Sequence, residues 1–263
     1  MDREDLPTLQ PMDFGLLEDP RRPILSTDYF AEGPHRVQGH QHPRAQILYP
    51  TRGVYRVNTP LGNWVVPPSQ AIWIPPYVHH EIHSTDSVAS LLLFIDETYT
   101  DSLPGQCVVI KVSTLLRELF IKAVSMGNDY LHNDKHKRFV HVLLDEIRDM
   151  ETAPFYLPMA RDKRVKKVID YLLEHPNDRR GMEAFAKTSG ASVRNLARLF
   201  QKQTGMNFSE WRKQLILMEA VDRLNQGQSV TEVALDLGYG SASAFISMFR
   251  RSLGVSPGYY RPS

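Results

Sequence analysis

Hydrophobic residues follow two different rhythms along this chain. Between about Pro23 and Ile110 they fall in short runs divided by Pro, Gly and Asn: Ala45 to Tyr49, Gly53 to Asn58, Asn63 to Val66, Ala71 to Ile74 and Ser90 to Phe94. That spacing predicts the strands of a sandwich or barrel, with Trp64, Trp73, Tyr49 and Tyr55 filling its interior. Downstream the apolar period lengthens to three and four. Leu115, Leu119 and Ala123, then Phe139, Val142, Leu143, Ile147 and Met150, predict helices over Thr114 to Met126 and Asn133 to Met150, paired as an antiparallel hairpin.

The helical rhythm is sharpest near the C-terminus, in SVTEVALDLGYGSASAFISMFRRSLG, Ser229 to Gly254. Ser229 and Glu232 fit a capping box, so a helix starts near Val230. Val233, Ala234 and Leu237 give that helix an apolar face, and Gly238 ends it by accepting a positive φ. Ser241 then caps a second helix, in which Phe245, Met248, Phe249 and Leu253 form one buried stripe. The opposite face carries Ser243, Ala244, Ser247 and Arg250, small polar groups and a cation that suit base edges and phosphates. Two short helices joined by a glycine turn are the outline of a helix-turn-helix.

The pattern occurs twice. MEAFAKTSGASVRNLARLFQKQTG, Met182 to Gly205, has its own Gly190 turn, Ser192 cap and Leu196, Leu199, Phe200 stripe. Gly205 and Gly254 stand 49 positions apart while the turn glycines Gly190 and Gly238 stand 48 apart, so the second turn is one residue longer. Between the units, SEWRKQLILMEAVDRL, Ser209 to Leu224, predicts a connecting helix that buries Trp211, Leu215, Met218 and Leu224. Such a helix is about 24 Å long at 1.5 Å per residue. It would hold two recognition helices near the ~34 Å separation of successive major grooves.

Charge sharpens this picture only when the chain is divided. All 263 residues together carry 31 basic against 30 acidic groups. From Arg161 onward the count is 17 against 10, and before it 14 against 20. Arg161, Lys163, Arg164, Lys166, Lys167, Arg179 and Arg180 open the basic half, where phosphate contacts would make binding fall steeply with salt. Cys107 is the only cysteine, which excludes an intrachain disulfide and a thiolate metal cluster. Residues 1 to about 22, rich in Pro and Asp, are expected to be disordered or arm-like, and Ala153 to Pro158 to be a linker. The N-terminus lacks an apolar leader and the longest apolar stretch, Val88 to Ile95, is too short for a bilayer, so a soluble cytoplasmic protein is expected.

Over Arg161 to Arg261 the chain resembles the AraC/XylS family of transcriptional regulators. The resemblance rests on AVDRLNQGQSVTEVALDLGYGSASAFISMFRRSLGVSPGYYR, with Ala234, Gly238, Tyr239, Phe245, Phe249, Gly254, Ser256 and Pro257 in the family's C-terminal pattern. It implies base-facing positions at Arg194, Ala197 and Arg198 in the first recognition helix and at Ser243, Ala244 and Ser247 in the second. Ser192, Asn195, Ser241 and Arg250 flank them. Some members place long polar or cationic groups where this second helix has Ala244 and Ser247, which shifts direct readout toward the first unit.

In the acidic half, His40, His42, Gln46 and Gly53 follow the HxHxxxE and glycine spacing of a cupin's first motif, with glutamine for the acid. IPPYVHH, Ile74 to His80, echoes the second motif, with His80 at the imidazole position. Residues 23 to 110 are therefore similar to the cupin-type sensor domain of many such regulators. Two imidazoles on one strand and a third across the barrel would make a site for Zn, Fe, Mn or Ni. Equally, they would line a ligand cavity or hydrogen-bond within the barrel, and the neutral Gln46 amide is a weaker ligand than a carboxylate. The candidates are His40, His42, Gln46, Trp73 and His80 for an effector, and His40, His42 and His80 for a divalent metal that the reading permits but does not require. His79 and His83 would lie on a neighbouring turn and strand, to substitute or to face solvent.

The expectation is an α+β multidomain chain: an N-terminal arm (1–22), a cupin-like β-barrel (23–110), a helical linker or dimerisation hairpin (111–158) and an all-α double helix-turn-helix module (161–262, its units at about 182–205 and 230–254). The function implied is a sequence-specific regulator, activator or repressor, that binds double-stranded promoter or operator DNA under control of a small-molecule effector. RNA polymerase and a second copy of the chain are its expected partners, with no membrane and no catalysis. The alternatives are a metal-dependent cupin enzyme fused to a DNA-binding module and a protein-binding adaptor.

Overall fold

The computed structural model describes residues 6–68, 70–84, 86–153 and 156–261. They form two compact units, one of residues up to Thr59 with Trp64–Ala153, the other of Pro60–Asn63 with Pro154–Ser263.

The first unit contains β1 (Thr8–Leu9), β2 (Ile24–Ala31), β3 (His35–His40), β4 (Ala45–Arg52), β5 (Tyr55–Thr59), β6 (Gly62–Val66) from Trp64 onward, β7 (Gln70–Ile74), β8 (His80–Ser84), β9 (Val88–Ile95) and β10 (Val108–Lys111). Then come α1 (Thr114–Met126), α2 (Asp134–Arg148) and β11 (Thr152–Ala153). One sheet runs β1-β3-β8-β5-β6 and the other β11-β10-β7-β4-β9-β2. The five runs read from the sequence became β4, β5, β6, β7 and β9. β2, β3 and β8 escaped that reading because their histidines, Asp28 and Arg36 blur the apolar pattern, and β10 because it is only four residues long.

Alternation along the second sheet decides what each side chain meets. Gln46 and Leu48 of β4 and Leu92 and Phe94 of β9 line a cavity between the sheets. Their neighbours Ala45, Ile47, Tyr49, Leu93 and Ile95, with Ala71 and Trp73 of β7, join a core with Leu116, Phe120 and Ala123 of α1 and Val140, Leu143, Leu144 and Ile147 of α2. The helical hairpin thus belongs to the barrel unit, as a cover on the outer face of this sheet. That placement corrects two expectations. Trp73 and Tyr49 face the helices, Tyr49 with its ring centroid 5.7 Å from that of Phe120. The buried stripes also differ in part from the expected ones: Leu115 and Val142 are 53% and 51% exposed and Leu116, Phe120, Val140 and Leu144 are buried, while Ala123, Leu143 and Ile147 are buried as expected.

Residues 6–22 pack on the barrel, contrary to the disordered arm the composition suggested. β1 pairs in parallel with β3, and Phe14 stacks on Phe94 at 6.2 Å between centroids. The anchor is Arg44, 1% exposed, whose guanidinium donates to the carbonyls of Leu17 (2.5 Å), Asp19 (3.0 Å), Arg22 (3.0 Å) and Phe94 (3.4 Å) and stands 3.3 Å from the Asp96 carboxylate. A segment without apolar periodicity is held by its backbone carbonyls, which no side-chain pattern reveals.

The second unit contains β12 (Tyr156–Pro158), α3 (Lys163–Glu174), α4 (Met182–Ser189), α5 (Val193–Thr204), α6 (Phe208–Asn225), α7 (Val230–Asp236) and α8 (Ala242–Leu253). Of the expected linker, Ala153 ends β11 and Tyr156–Pro158 form β12, while 154 and 155 lie outside the described residues. α3 has no counterpart in the sequence reading, where its cations drew attention away from the buried Val165, Val168, Ile169 and Leu172. Gly190, Gly205 and Gly254 cap α4, α5 and α8 at φ of 66°, 72° and 77°. α7 opens with the expected Ser229 and Glu232 capping box, and α6 has a second one in Asn207 and Glu210. Among the described residues, no helix is long and apolar enough to cross a membrane.

Candidate functional site

Two regions collect the chemistry. In the second unit, α5 and α8 are each buried on one side and polar on the other. Leu196 and Phe200 of α5 and Phe245 and Phe249 of α8 are fully buried. Phe200 meets Trp211 of α6 edge-on at 5.8 Å, and the Trp211 indole N–H donates to the Pro158 carbonyl at 2.9 Å. With their inner stripes fixed, the helices present Arg194, Ala197 and Arg198, and Ser243, Ala244, Ser247 and Arg250, to solvent.

Ser192 and Ser241 serve first as caps, accepting the backbone N–H of Asn195 (3.3 Å) and Ala244 (3.2 Å). Asn195 is half-buried and accepts from the Arg198 guanidinium at 3.1 Å, which orients that cation. Five of the seven expected phosphate-binding cations already have protein partners, among them Lys167, whose ammonium donates to the Thr188 carbonyl at 3.3 Å. Arg164 pairs with Asp162 (2.8 Å), Lys166 with Asp170 (2.6 Å) and Arg180 with Asp178 (2.6 Å). Arg179 donates to the Leu237 carbonyl at 2.9 Å and lies 4.6 Å from the centre of the Tyr239 ring, clasping the turn of the second helix-turn-helix.

In the barrel, β3 and β8 bring the histidines together through a bulge. Val37 pairs with Ile82, yet His40 pairs with His80, so β3 carries one extra residue. Side chains alternate across a strand. Val37 and Ile82 line the cavity, and the extra residue turns His40 inward beside His80 where regular pairing would turn it out. The two rings sit 4.3 Å apart, and His42 stands 5.6 Å from His40 and 5.2 Å from His80. One ring nitrogen from each lies within 4.8 Å of the others.

Each Nδ1 faces a backbone carbonyl: Gln38 for His40 (2.7 Å), Arg44 for His42 (2.6 Å) and Val78 for His80 (2.8 Å). A carbonyl can only accept, so each Nδ1 carries the proton and each Nε2 keeps its lone pair. Gln46 Oε1 stands 3.2 Å from His42 Nε2. Burial disfavours the charged form of all three imidazoles and pushes His80 down to about 3.

The cavity beside this cluster is about 460 Å³ including its mouth. His40 and Gln46 stand among Met12, Tyr29, Val37, Leu48, Tyr55, Ile82, Leu92 and Phe94. Tyr55 lines the cavity as an interior residue, as expected, whereas the sequence reading missed Tyr29, Leu92 and Phe94; for the last two the alternation in SLLLFI was the available signal, although both faces of that strand are buried. Trp73, expected at the effector, is not brought to the histidines: it pairs with Ile47 on the helix-covered face and its indole N–H donates to the Pro104 carbonyl at 2.7 Å. His79 is exposed, and His83 lies 2.7 Å from the Asn58 amide.

Comparison with known proteins falls on the same two regions. Residues 29–122 match the family model of the AraC-like ligand binding domain, and residues 185–263 that of a helix-turn-helix domain. The HTH-type transcriptional regulator NimR of Escherichia coli is 33% identical over 221 residues, spanning 84% of this chain and 81% of its own length. The regulatory protein SoxS of Salmonella typhimurium is 30% identical over 104 residues, 39% of this chain and 97% of its own length. ToxT of Vibrio cholerae, in a crystal structure bound to an unsaturated fatty acid, covers 90% of this chain and 94% of its own with 11% identity and a TM-score of 0.38. With a full-length regulator related along most of its length and both domain families matched, the chain belongs to the AraC/XylS family of transcriptional regulators, with a ligand-binding domain ahead of its DNA-binding helices.

Proposed function

We propose that Arg194, Ala197 and Arg198 on α5 and Ser243, Ala244 and Ser247 on α8 face operator base pairs, and that the barrel cavity takes the effector. The observation that carries the first part is the sidedness of both helices, each with a fixed aromatic stripe and an exposed polar face. Asn195 and Arg250 flank those faces, and Ser192 and Ser241 stand at their N-terminal ends, where backbone N–H groups approach phosphate. The long polar groups are concentrated on α5, so the first unit supplies most direct readout and α8 contributes shape and backbone contacts. The mostly apolar and aromatic lining, with the polar side chains of Gln10, His40 and Gln46 among it, favours a small, largely apolar effector. Its occupancy shifts the balance between two states of the chain by its differential affinity for them.

The same reading makes the protein a cytoplasmic homodimer acting on RNA polymerase at a promoter, and a regulator instead of an enzyme. Leu115 and Val142, exposed on the hairpin, support a contact between two copies there. The test is selection of genomic fragments by the full-length protein at physiological salt, followed by anisotropy titrations on the enriched sites. Two shared half-motifs about one helical turn apart would support the double reader. Retention without any shared motif would overturn it.

A further inference from the structure

We propose that Arg179 is a positioning residue for the second recognition helix, and that it sets which spacing of half-motifs the chain reads. The loop between α3 and α4 is held by the first helix-turn-helix. Arg180 pairs with the Asp178 carboxylate at 2.6 Å, and its guanidinium lies over the rings of Tyr171 of α3, at 4.9 Å, and Phe185 of α4, at 5.2 Å. Arg212 of α6 donates to the Asp178 carbonyl and lies 5.2 Å from the centre of the Phe208 ring. Phe208 in turn packs on Phe185 and on Phe200 of the α5 stripe. Side chains of α3, α4 and α6, continuous with the buried face of α5, thus fix the backbone from which Arg179 projects.

Arg179 leaves this anchored loop for the second helix-turn-helix. Its guanidinium donates at 2.9 Å to the Leu237 carbonyl just beyond α7, where a helix leaves its last carbonyls without intrahelical donors. The same group lies 4.6 Å from the centre of the Tyr239 ring, and that ring meets Phe245 of α8 edge-on at 5.3 Å. A path of packed groups therefore runs from the α5 stripe to the α8 stripe through one exposed cation. The turn makes room for it: a Cβ on Gly238 would stand 2.6 Å from Arg179 Nε, whereas Gly190, in the matching turn of the first helix-turn-helix, faces open space. Two copies of one pattern differ at this point, and the difference is the guanidinium.

The tie matters because half-motif spacing is read as a rotation. α5 and α7 both pack on α6, the long helix that joins the two readers, and a helix by itself bends. Arg179 adds a second attachment at the α7–α8 turn and removes that freedom. One added base pair turns a half-site by about 35° and moves it about 3.4 Å, so a reader whose second helix is held in place tolerates such a change poorly. The spacing preference rests on α5 and α8 facing base pairs as proposed above; the tie between the two readers does not.

The experiment uses the full-length protein in two measurements. Nitroxide labels at Lys202→Cys on α5 and Arg251→Cys on α8, both exposed positions, report the distance between the readers by double electron–electron resonance without DNA. The buried Cys107 is replaced by Ala for this purpose, and excess unlabelled protein removes distances between copies. One narrow distribution is expected, broadened about twofold in Arg179→Ala and narrowed again in Arg179→Lys, which keeps a donor for the Leu237 carbonyl. An unchanged width in Arg179→Ala would overturn the tie. Anisotropy titrations then use a duplex with both half-motifs selected by the wild-type protein, and duplexes with one base pair added or removed between them. The wild type is expected to lose about 10-fold or more on either change and Arg179→Ala less than about 3-fold, with equal affinities for a duplex holding one half-motif. Equal weakening of Arg179→Ala on every duplex, the mark of a phosphate contact, would overturn the positioning role. A wild type indifferent to spacing would sink the double reader and the spacing preference together, while the tie stands or falls on the label distances.

Discussion

Arg44→Met tests whether the N-terminal segment is held down by one buried cation. Methionine keeps the length of the stem and removes the guanidinium, so Asp96 loses a partner at 3.3 Å and four carbonyls lose a donor. At an effective dielectric of about 20, a pair at that distance is worth about 5 kcal/mol of attraction. The carbonyls of Leu17, Asp19 and Arg22 recover water once the segment lifts. Asp96 retains the Thr98 hydroxyl (2.7 Å) and N–H (3.2 Å), which offsets part of the loss. The expected destabilisation is therefore about 3–5 kcal/mol, the usual consequence of removing one member of a buried pair. For a unit of about 150 residues this is a melting shift of about 6–20 °C. Two of the three tryptophans, Trp64 and Trp73, sit in the barrel unit, so a fluorescence melt of the whole chain mainly follows that unit. Limited trypsin digestion supplies the second readout, since Arg21 and Arg22 lie in the clamped segment and should be cut faster in the variant. A melting shift under about 3 °C with unchanged cleavage would refute this account of Arg44.

Arg198→Ala is expected to weaken the cognate operator by about 1–3 kcal/mol with little change on random duplex; an equal loss on both would make Arg198 a phosphate contact. Gly238 has φ of +80° and a Cβ there would stand 2.6 Å from Arg179 Nε, whereas Gly190, at φ of +66°, has open space. Urea midpoints should therefore show Gly238→Ala costing more than the roughly 1–2 kcal/mol of left-handed strain that both share, and equal losses would show that Arg179 does not brace the second turn. Burial pushes the Cys107 thiol up to about 12, so at pH 8 only about one molecule in 10⁴ carries a thiolate. A chromogenic disulfide should label it only after unfolding, and rapid native labelling would contradict the packing.

What could be read from the residues alone was whatever local chemistry determines. Capping serines, turn glycines and a three-and-four apolar period act within a few residues, so α7, α8 and both helix-turn-helix units were legible with their boundaries, and the repeat made them a DNA reader. The imidazoles of the cupin-like motifs were visible for the same reason: spacing along one chain segment is a sequence property.

Tertiary structure decided the rest. Nothing in VASLLLFI or AQILYP says which face meets the cavity and which meets helices, because both are buried; the hairpin's docking settled it and took Trp73 and Tyr49 out of the cavity. The hairpin's own stripe excludes Leu115 and Val142 and takes in Leu116 and Leu144 for a related reason. Its partner is a sheet, and the side chains that meet it follow the crossing of helix on strand. His40 joins His80 only because one extra residue in β3 reverses its direction, and a one-residue shift in a period-two element leaves composition unchanged while exchanging inside for outside. Arg44 holds backbone carbonyls, and every residue has one of those, so no pattern of side chains could have announced where the N-terminal segment would lie.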